Sequence, residues 1–243
     1  MGGMNPSPRA TWRPRGGGAA HLVVAHRGLV GPAPENTLES IAAAIAAGAD
    51  AAEVDVRRGR DGRLILAHDP VQGARGALDP SPAFLEPPAP VELAEALTLA
   101  RGRLGLNLEL KEAGLAADVA ALIGGLSSPA EILVSSFLES EIQTLAHVLP
   151  ECPTGLVRGA LGMSGRGLPG VVRQALACGA THLVIERHRA RRRVLDGAVN
   201  SGLQVLVWTV NEPTQLGRLL QDPRVSGVIT DRASLALDLR SAG

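Results

Sequence analysis

The chain contains no tyrosine, two phenylalanines and two tryptophans, so that aromatic residues make up 2% of its 243 residues. Because 45% of the residues are nevertheless hydrophobic, we expect a buried core built from aliphatic side chains. Basic and acidic residues balance at 24 each. Without an excess of clustered positive charge, a nucleic-acid partner is not expected.

Long apolar runs and cysteines are also scarce. No apolar run approaches the roughly 20 residues that span a bilayer, so we expect no membrane anchor. The two cysteines, Cys152 and Cys178, form neither a disulfide framework nor a metal-binding motif, and a cytoplasmic location is expected. Residues 1–20 lack the apolar region of a secretory signal. We expect this N-terminal segment to be disordered and residues 21–243 to form one domain.

Lysine is nearly absent, since Lys111 is the single lysine beside 23 arginines. The use of arginine everywhere else suggests that this position requires a compact ammonium group, which the planar guanidinium of arginine cannot imitate. The alternative is that one lysine occurs here by chance.

Short strand-like runs alternate with amphipathic helical runs eight times from residue 21 onward. This rhythm predicts an α/β fold, a single-domain (β/α)8 TIM barrel. A doubly wound open sheet is the alternative, but no G-x-G-x-x-G motif follows the first strand. The barrel strands are predicted at 21–26, 51–56, 104–111, 131–137, 154–158, 181–186, 203–210 and 226–230. The helices are predicted at 37–47, 91–101, 115–125, 139–148, 169–178, 189–200, 214–221 and 233–240.

Smaller features refine this prediction. Glycine commonly follows the last residue of a helix, so we expect helices to end at Gly48, Gly125, Gly179 and Gly202. A short additional strand is predicted at 63–67, paired back onto the second strand after a turn. The proline-rich residues 70–90 are expected to form an ordered excursion.

Five ionisable residues fall at the carboxyl ends of the first three barrel strands: His26, Glu53, Asp55, Glu109 and Lys111. In a βα barrel these ends form the active site, and side chains two residues apart share one face of a strand. Three carboxylates without cysteine suit Ca²⁺ or Mg²⁺. A simple ion pair between Glu109 and Lys111 is the alternative.

His26 and His68 are the candidate general acid and base, because imidazole titrates near neutral pH. Arg27, next to His26, offers planar paired donors for a phosphate group. The alternative for Arg27 is an ion pair with Glu35 or Glu53.

Three further features have two interpretations each. Either Asn36 or Thr37 is expected to cap the helix that begins near residue 37. Trp208 is a candidate substrate-binding residue that forms an apolar wall of the pocket, or it packs between strand and helix. The arginine-rich residues 187–193 either attract an anionic head group or membrane surface, or form a solvated start of a helix.

The sequence resembles the glycerophosphodiester phosphodiesterase family in nine segments that follow the family's order. They are His26-Arg27-Gly28, Pro34-Glu35-Asn36-Thr37, Glu53-Val54-Asp55, Asp61-Gly62, His68-Asp69, Asn107-Leu108-Glu109-Leu110-Lys111, Ser136-Phe137, Val207-Trp208-Thr209-Val210-Asn211 and Gly227-Val228-Ile229-Thr230-Asp231. Together these segments span residues 22–231, which is essentially the whole predicted barrel.

The resemblance implies a TIM barrel that binds a divalent cation and hydrolyses glycerophosphodiesters to an alcohol and glycerol 3-phosphate. It implies metal ligands at Glu53, Asp55 and Glu109, an acid–base pair at His26 and His68, and phosphate-binding residues at Arg27 and Lys111. Alternatives are a lysophospholipase D-like or phospholipase C-like activity on lipids, and a barrel that binds phosphodiesters without catalysis. Loss of a histidine or a metal carboxylate would mark the last alternative, and the chain retains them all.

Overall fold

A computed structural model describes residues 10–14, 21–31, 33–70, 90–159 and 169–242. The strands are β1 (Leu22–Ala25), β2 (Ala51–Arg58), β3 (Leu64–Leu66), β4 (Gly105–Leu110), β5 (Ile132–Ser136), β6 (Thr154–Arg158), β7 (His182–Glu186), β8 (Gln204–Trp208) and β9 (Gly227–Thr230). The α-helices are α1 (Leu38–Ala46), α2 (Leu93–Ala100), α3 (Ala116–Leu126), α4 (Glu139–Val148), α5 (Pro169–Ala177), α6 (Arg192–Asn200), α7 (Pro213–Leu220) and α8 (Ala233–Ser241).

The eight parallel strands other than β3 form a closed barrel in chain order. Closure occurs because β1 pairs with β2 on one side and with β9 on the other, where Leu22 to Ala25 run beside Gly227 to Thr230. Each barrel strand is followed by one of the eight described helices. The predicted (β/α)8 barrel is therefore confirmed.

Two of the finer predictions have different outcomes. β3 pairs antiparallel with the end of β2, as predicted for residues 63–67. The helix stop predicted at Gly125 is wrong, because α3 continues through it to Leu126, a side chain that packs against the core. Gly48, Gly179 and Gly202 have the positive φ angles expected after helix ends. Residues 71–89, almost all of the predicted excursion, lie outside the described residues.

The core has two parts because side chains alternate along each strand. Outward-facing residues such as Val54 and Leu108 are fully buried in the layer between the strands and the helices. Inward-facing residues such as Val24, Leu133 and Leu206 fill the lower interior of the barrel. Polar inward-facing residues follow at the carboxyl ends of the strands, so the alternation places the chemistry at the barrel mouth.

Trp12 lies across the opposite, amino-terminal end of the barrel. Its ring is 3% exposed and its Nε1 donates to the carbonyl oxygen of Glu131 at 3.0 Å. A Cβ atom on Gly105 would lie 2.3 Å from the side chain of Pro14, so glycine is required for this close approach. The composition of residues 1–20 did not predict these contacts. Apart from residues 10–14, that segment lies outside the described residues.

Cys152 and Cys178 are free and buried. Among the described helices, none combines the length and the apolar character needed to cross a membrane. The cytoplasmic location stays a prediction.

Candidate active site

A cavity of about 170 Å³ opens at the carboxyl ends of the barrel strands. Eight of its lining residues are the ones selected from the sequence: His26, Arg27, Glu53, Asp55, His68, Glu109, Lys111 and Trp208. The structure therefore brings together every residue that the sequence suggested for the site. Phe137 and Ile229 also line the cavity.

Three carboxylates meet at the bottom of this cavity. Glu53 and Asp55 face inward from β2, and Asp55 lies beside Glu109 in the register of β2 and β4. Each of the three contributes an oxygen atom, and these oxygens lie within 4.8 Å of one another. Glu53 and Asp55 are each only 2% exposed. Burial, and then the negative charge of Asp55, raise the pKa of Glu53 to about 8.

Lys111 extends over the same carboxylates. Its Nζ lies 2.6 Å from Glu109 Oε1 and 3.1 Å from Asp55 Oδ1. Burial opposes its charge, but the two carboxylates outweigh burial and raise the pKa of Lys111 above its ordinary value. The simple ion pair considered from the sequence is thus present as part of a larger cluster.

The donor chemistry of this cluster fits a hard divalent cation. Lys111 and Arg27 place positive charge beside Asp55, yet burial and the neighbouring carboxylate still raise the pKa of Glu53, so a full set of three ionised carboxylates here is costly without a further cation. All three candidate ligands offer oxygen, the donor that Ca²⁺ and Mg²⁺ prefer. Among the residues that the structure describes, these three form the cluster whose potential ligand atoms lie close enough together to hold a metal ion: Glu53, Asp55 and Glu109.

Asn36 fixes Asp55 from the loop after β1. Its Nδ2 donates to Asp55 Oδ2 at 2.9 Å, and its Oδ1 accepts from the Asp55 backbone N–H at 2.9 Å. Asn36 has a φ of +57°, which asparagine tolerates better than most residues. Thr37 is the helix cap, since its hydroxyl oxygen accepts from the backbone N–H of Ser40. The sequence suggested Asn36 only as a helix cap, and its contact with Asp55 is not predictable from the local pattern.

Arg27 forms the ion pair that was the alternative to phosphate binding. Its Nη1 donates to both carboxylate oxygens of Glu35, at 2.9 and 2.8 Å. Its Nε lies 3.4 Å from Asp55 Oδ2 and makes no hydrogen bond within the described residues. Arg27 therefore lines the cavity while its Nη1 is paired with Glu35 and its buried Nε faces Asp55.

His26 is held through its ring by a residue that sequence analysis did not select. Its Nδ1 lies 2.6 Å from Asp231 Oδ1, and Asn211 Nδ2 donates to the other oxygen of Asp231 at 2.5 Å. His26 Nε2 lies 3.9 Å from Glu53 Oε2. Burial opposes protonation, but the hydrogen bond with Asp231 and the charge of Glu53 raise the pKa of His26. Asp231 directly follows the last barrel strand, β9, just as His26 directly follows the first, β1. A position at the carboxyl end of a barrel strand was the reason for selecting His26, and it applies equally to Asp231.

His68 reaches the cavity from the segment after β3. Its Nδ1 lies 2.9 Å from Oδ1 of the neighbouring Asp69. The two histidines thus approach one cavity from different elements, a barrel strand and an antiparallel hairpin. This arrangement allows one histidine to donate a proton while the other accepts one.

An aromatic pair forms the wall on the β5–β8 side. Trp208 and Phe137 pack edge to face with ring centroids 5.9 Å apart. Trp208 Nε1 donates to the carbonyl oxygen of Val184 at 3.3 Å. The ring lines the cavity and packs against the inward-facing core of the barrel, so it forms a wall of the pocket and does not lie between strand and helix.

The arginine-rich run starts as a short 3-10 helix, Arg187–Arg189, capped by Glu186, and α6 begins later than predicted, at Arg192. Arg187 Nη1 donates to the carbonyl oxygen of Thr209 at 2.9 Å. Residues 191–193 are exposed, and the run is not among the described lining of the cavity. Its binding of an anionic surface stays a prediction.

Comparison with known proteins gives a consistent result. Residues 26–77 match the model of the glycerophosphoryl diester phosphodiesterase family. A Bacillus subtilis protein assigned as a glycerophosphodiester phosphodiesterase is 28% identical over 86% of this chain and 93% of its own length. The glycerophosphodiester phosphodiesterase of Bacillus altitudinis is 27% identical over 90% of this chain and 97% of its own.

The solved structures agree in fold. A crystal structure from Silicibacter pomeroyi, assigned as a glycerophosphoryl diester phosphodiesterase, superposes with a TM-score of 0.77 and 25% identity. The superposition covers 94% of this chain and 95% of that chain.

Proposed function

We propose that this chain, which belongs to the glycerophosphodiester phosphodiesterase family, hydrolyses small glycerophosphodiesters to an alcohol and glycerol 3-phosphate. The observation that carries the proposal is the convergence, in one cavity, of two histidines, three carboxylates, an arginine and the single lysine. These groups supply proton transfer, cation binding and anion binding, three functions that together suit phosphodiester cleavage.

Glu53, Asp55 and Glu109 would hold a Ca²⁺ or Mg²⁺ ion. When bound, such a cation offsets the negative charge that develops on the phosphoryl oxygens. Asn36 supports this role because it fixes one oxygen and the backbone N–H of Asp55. The carboxylate is thereby oriented before any ligand arrives, which is the usual function of groups behind a metal ligand.

His26 and His68 form the proposed acid–base pair. Asp231 accepts from Nδ1 of His26, which leaves Nε2 to exchange a proton at the cavity. In the first step one histidine takes the proton of the substrate's neighbouring hydroxyl group, and the other gives a proton to the departing alcohol. Their roles reverse when water opens the resulting cyclic phosphate.

Lys111 and Arg27 are the proposed phosphate-binding residues. The raised pKa of Lys111 keeps its side chain protonated, and the residue lines the cavity. Its ammonium group can therefore stabilise a phosphoryl oxygen. Arg27 lines the same cavity, and its guanidinium, paired with Glu35 in this structure, would turn to bind a second oxygen. Trp208 would close the apolar side of the substrate site.

Turnover of glycerophosphocholine, followed by release of glycerol 3-phosphate, tests this function. We expect chelation to abolish turnover and either Ca²⁺ or Mg²⁺ to restore it. The Glu109→Gln variant, which loses one charge and little volume, should require far more cation for the same rate. Turnover that survives chelation would contradict the cation site, and absence of glycerol 3-phosphate among the products would contradict the activity.

One observation favours a second candidate, a lysophospholipase D-like or phospholipase C-like activity. Phe137, which lines the cavity, is 43% exposed and the adjacent Leu138 is 36% exposed, so an acyl chain would find an apolar rim. Assays of lysophosphatidylcholine beside glycerophosphocholine separate the candidates. A higher kcat/KM on the lipid would replace the first proposal with the second.

A further inference from the structure

The two proposed acid–base histidines are secured in different ways. The ring of His26 is fixed by Asp231, which is itself bound by Asn211. The ring of His68 contacts Asp69, its own neighbour in the chain, whose side chain is 89% exposed. In the part of the chain that the structure describes, no hydrogen bond ties the His68 ring to the barrel. Its place over the cavity therefore depends on its backbone.

Within the described ranges, two hydrogen bonds secure that backbone to the barrel after β3 ends. The backbone N–H of Ala67 donates to the carbonyl oxygen of Asp55 at 3.0 Å. The Nε of Arg57 donates to the carbonyl oxygen of His68 itself at 2.9 Å. Arg57 is thus the side chain that contacts the His68 backbone directly.

Arg57 is itself fixed in place, so that it can hold the His68 backbone in one position. Its side chain is only 13% exposed, and its Nη1 donates to Glu112 Oε2 at 3.1 Å. The other oxygen of Glu112 accepts from the backbone N–H of Arg58 at 3.0 Å. Glu112 follows Lys111 directly, so the pair connects the ends of β2 and β4 to His68. A planar guanidinium can satisfy a carbonyl and a carboxylate at once in a fixed geometry, which lysine cannot.

We propose that Arg57, fixed by Glu112, is a positioning residue that sets the location of His68 over the carboxylate cluster. The inference rests on the proposed role of His68 in proton transfer. A displacement of about 1 Å at a reacting group can cost on the order of a hundredfold in rate. The pair therefore acts on the proton-transfer step, although neither side chain is part of the cavity lining.

Arg58 provides a matched control because it is the same residue type at the next position of β2. Its guanidinium donates to the carbonyl oxygens of Gly62 and Gly114 and to Asp118, and makes no contact with His68 in the described chain. Arg57→Gln should lower kcat roughly tenfold or more with KM little changed. Arg58→Gln should retain kcat close to the wild-type value. Arg57→Lys, which keeps one donor, should recover part of the loss.

A second measurement does not depend on catalysis. The rate at which diethyl pyrocarbonate modifies His68, followed by peptide mass spectrometry, should rise in Arg57→Gln and stay unchanged in Arg58→Gln. Equal behaviour of the two variants in kcat and in His68 modification would overturn the proposal. If Arg57→Gln does not fold, Glu112→Ala, which removes both acceptor oxygens, carries the same test, and unchanged His68 modification in that variant would overturn the proposal.

If the proposed role of His68 in catalysis were wrong, the experiments would give a different pattern of results. If His68→Ala retained full turnover, His68 would not be a catalytic residue. The modification assay would still report whether Arg57 fixes the position of His68, so the two failures are distinguishable.

Discussion

The Nδ1 atom of His26 lies 2.6 Å from Oδ1 of Asp231. The two residues follow β1 and β9, the first and last strands of the barrel, and the backbone N–H of His26 donates to the carbonyl oxygen of Thr230 at 3.0 Å. The pair therefore forms where the barrel closes. A correctly oriented His26 depends on that closure, which connects the fold to the proposed chemistry.

Replacing Asp231 with asparagine should impair catalysis and lower the pKa of His26. Burial already lowers this pKa, and the hydrogen bond and charge of Asp231 help to raise it above the ordinary value. We expect kcat to fall by about a hundredfold or more, since a catalytic histidine loses its orienting carboxylate. NMR titration of the His26 ring in wild type and variant measures the pKa. An unchanged His26 pKa would show that the contact is not formed in solution.

The Asp231→Asn variant should also change how the free energy of unfolding depends on pH. Because the folded-state pKa of His26 is raised, its contribution to stability is fully present below the unfolded-state pKa of about 6.5 and is lost as the pH rises through the folded-state pKa. The difference in unfolding free energy between wild type and Asp231→Asn should thus be larger at pH 6 than at pH 9. Urea unfolding at both pH values tests this, and a larger difference at pH 9 would contradict it.

Cation binding should strengthen as the pH rises. Burial and Asp55 raise the pKa of Glu53 to about 8, and a carboxylate must lose its proton to bind a metal ion. Titration calorimetry with Ca²⁺ should therefore show a higher affinity at pH 9 than at pH 6.5. Glu53→Gln should bind more weakly and with a flatter pH dependence. Equal wild-type affinities at the two pH values would contradict the raised pKa.

Lys111→Arg tests whether the site requires a compact ammonium group. The planar guanidinium is too large to occupy the position 2.6 Å from Glu109 and 3.1 Å from Asp55 without moving one of them. We expect kcat/KM on glycerophosphocholine to fall by about a hundredfold, as for the loss of one group that stabilises the transition state. Wild-type kinetics in Lys111→Arg would show that the positive charge alone is sufficient.

The contact of residues 10–14 with the barrel should appear in the stability of the protein. Trp12 is 3% exposed and packs edge to face against His182, with ring centroids 6.4 Å apart. Trp12→Ala should lower the free energy of unfolding by about 3 kcal/mol or more, with little effect on kcat. Trp208→Ala, at the other end of the barrel, should affect turnover more than stability. A change of less than about 0.5 kcal/mol for Trp12→Ala, the range of ordinary surface substitutions, would contradict the contact.

The sequence predicted the barrel and the ionisable residues at the ends of its first strands because both depend on simple periodicities. Parallel strands end at the same edge, so His26, Asp55 and Glu109 could be placed together without coordinates. Contacts that depend on side-chain direction could not be derived in this way. The hydrogen bond from Asn36 to Asp55 and the one from Arg57 to His68 are examples.

Local composition also led to wrong expectations at two places where tertiary packing determines the structure. Gly125 favours a helix end, but α3 continues one residue beyond it to Leu126, which is partly buried against the core. Residues 10–14 contain an arginine and a proline and lie next to glycine-rich sequence, yet Trp12 packs among apolar side chains at the amino-terminal end of the barrel. In both cases a tertiary contact outweighs the local preference of the chain.

The most direct test of the proposed function is release of glycerol 3-phosphate from glycerophosphocholine, followed by ³¹P NMR in the presence of Ca²⁺ or Mg²⁺. His147, which is exposed on α4 and is not among the residues that line the cavity, provides the matched control. Two-histidine catalysis predicts rapid release by the wild type and by His147→Ala, and a loss of about a thousandfold in His26→Ala. Release by His26→Ala at the wild-type rate would contradict it.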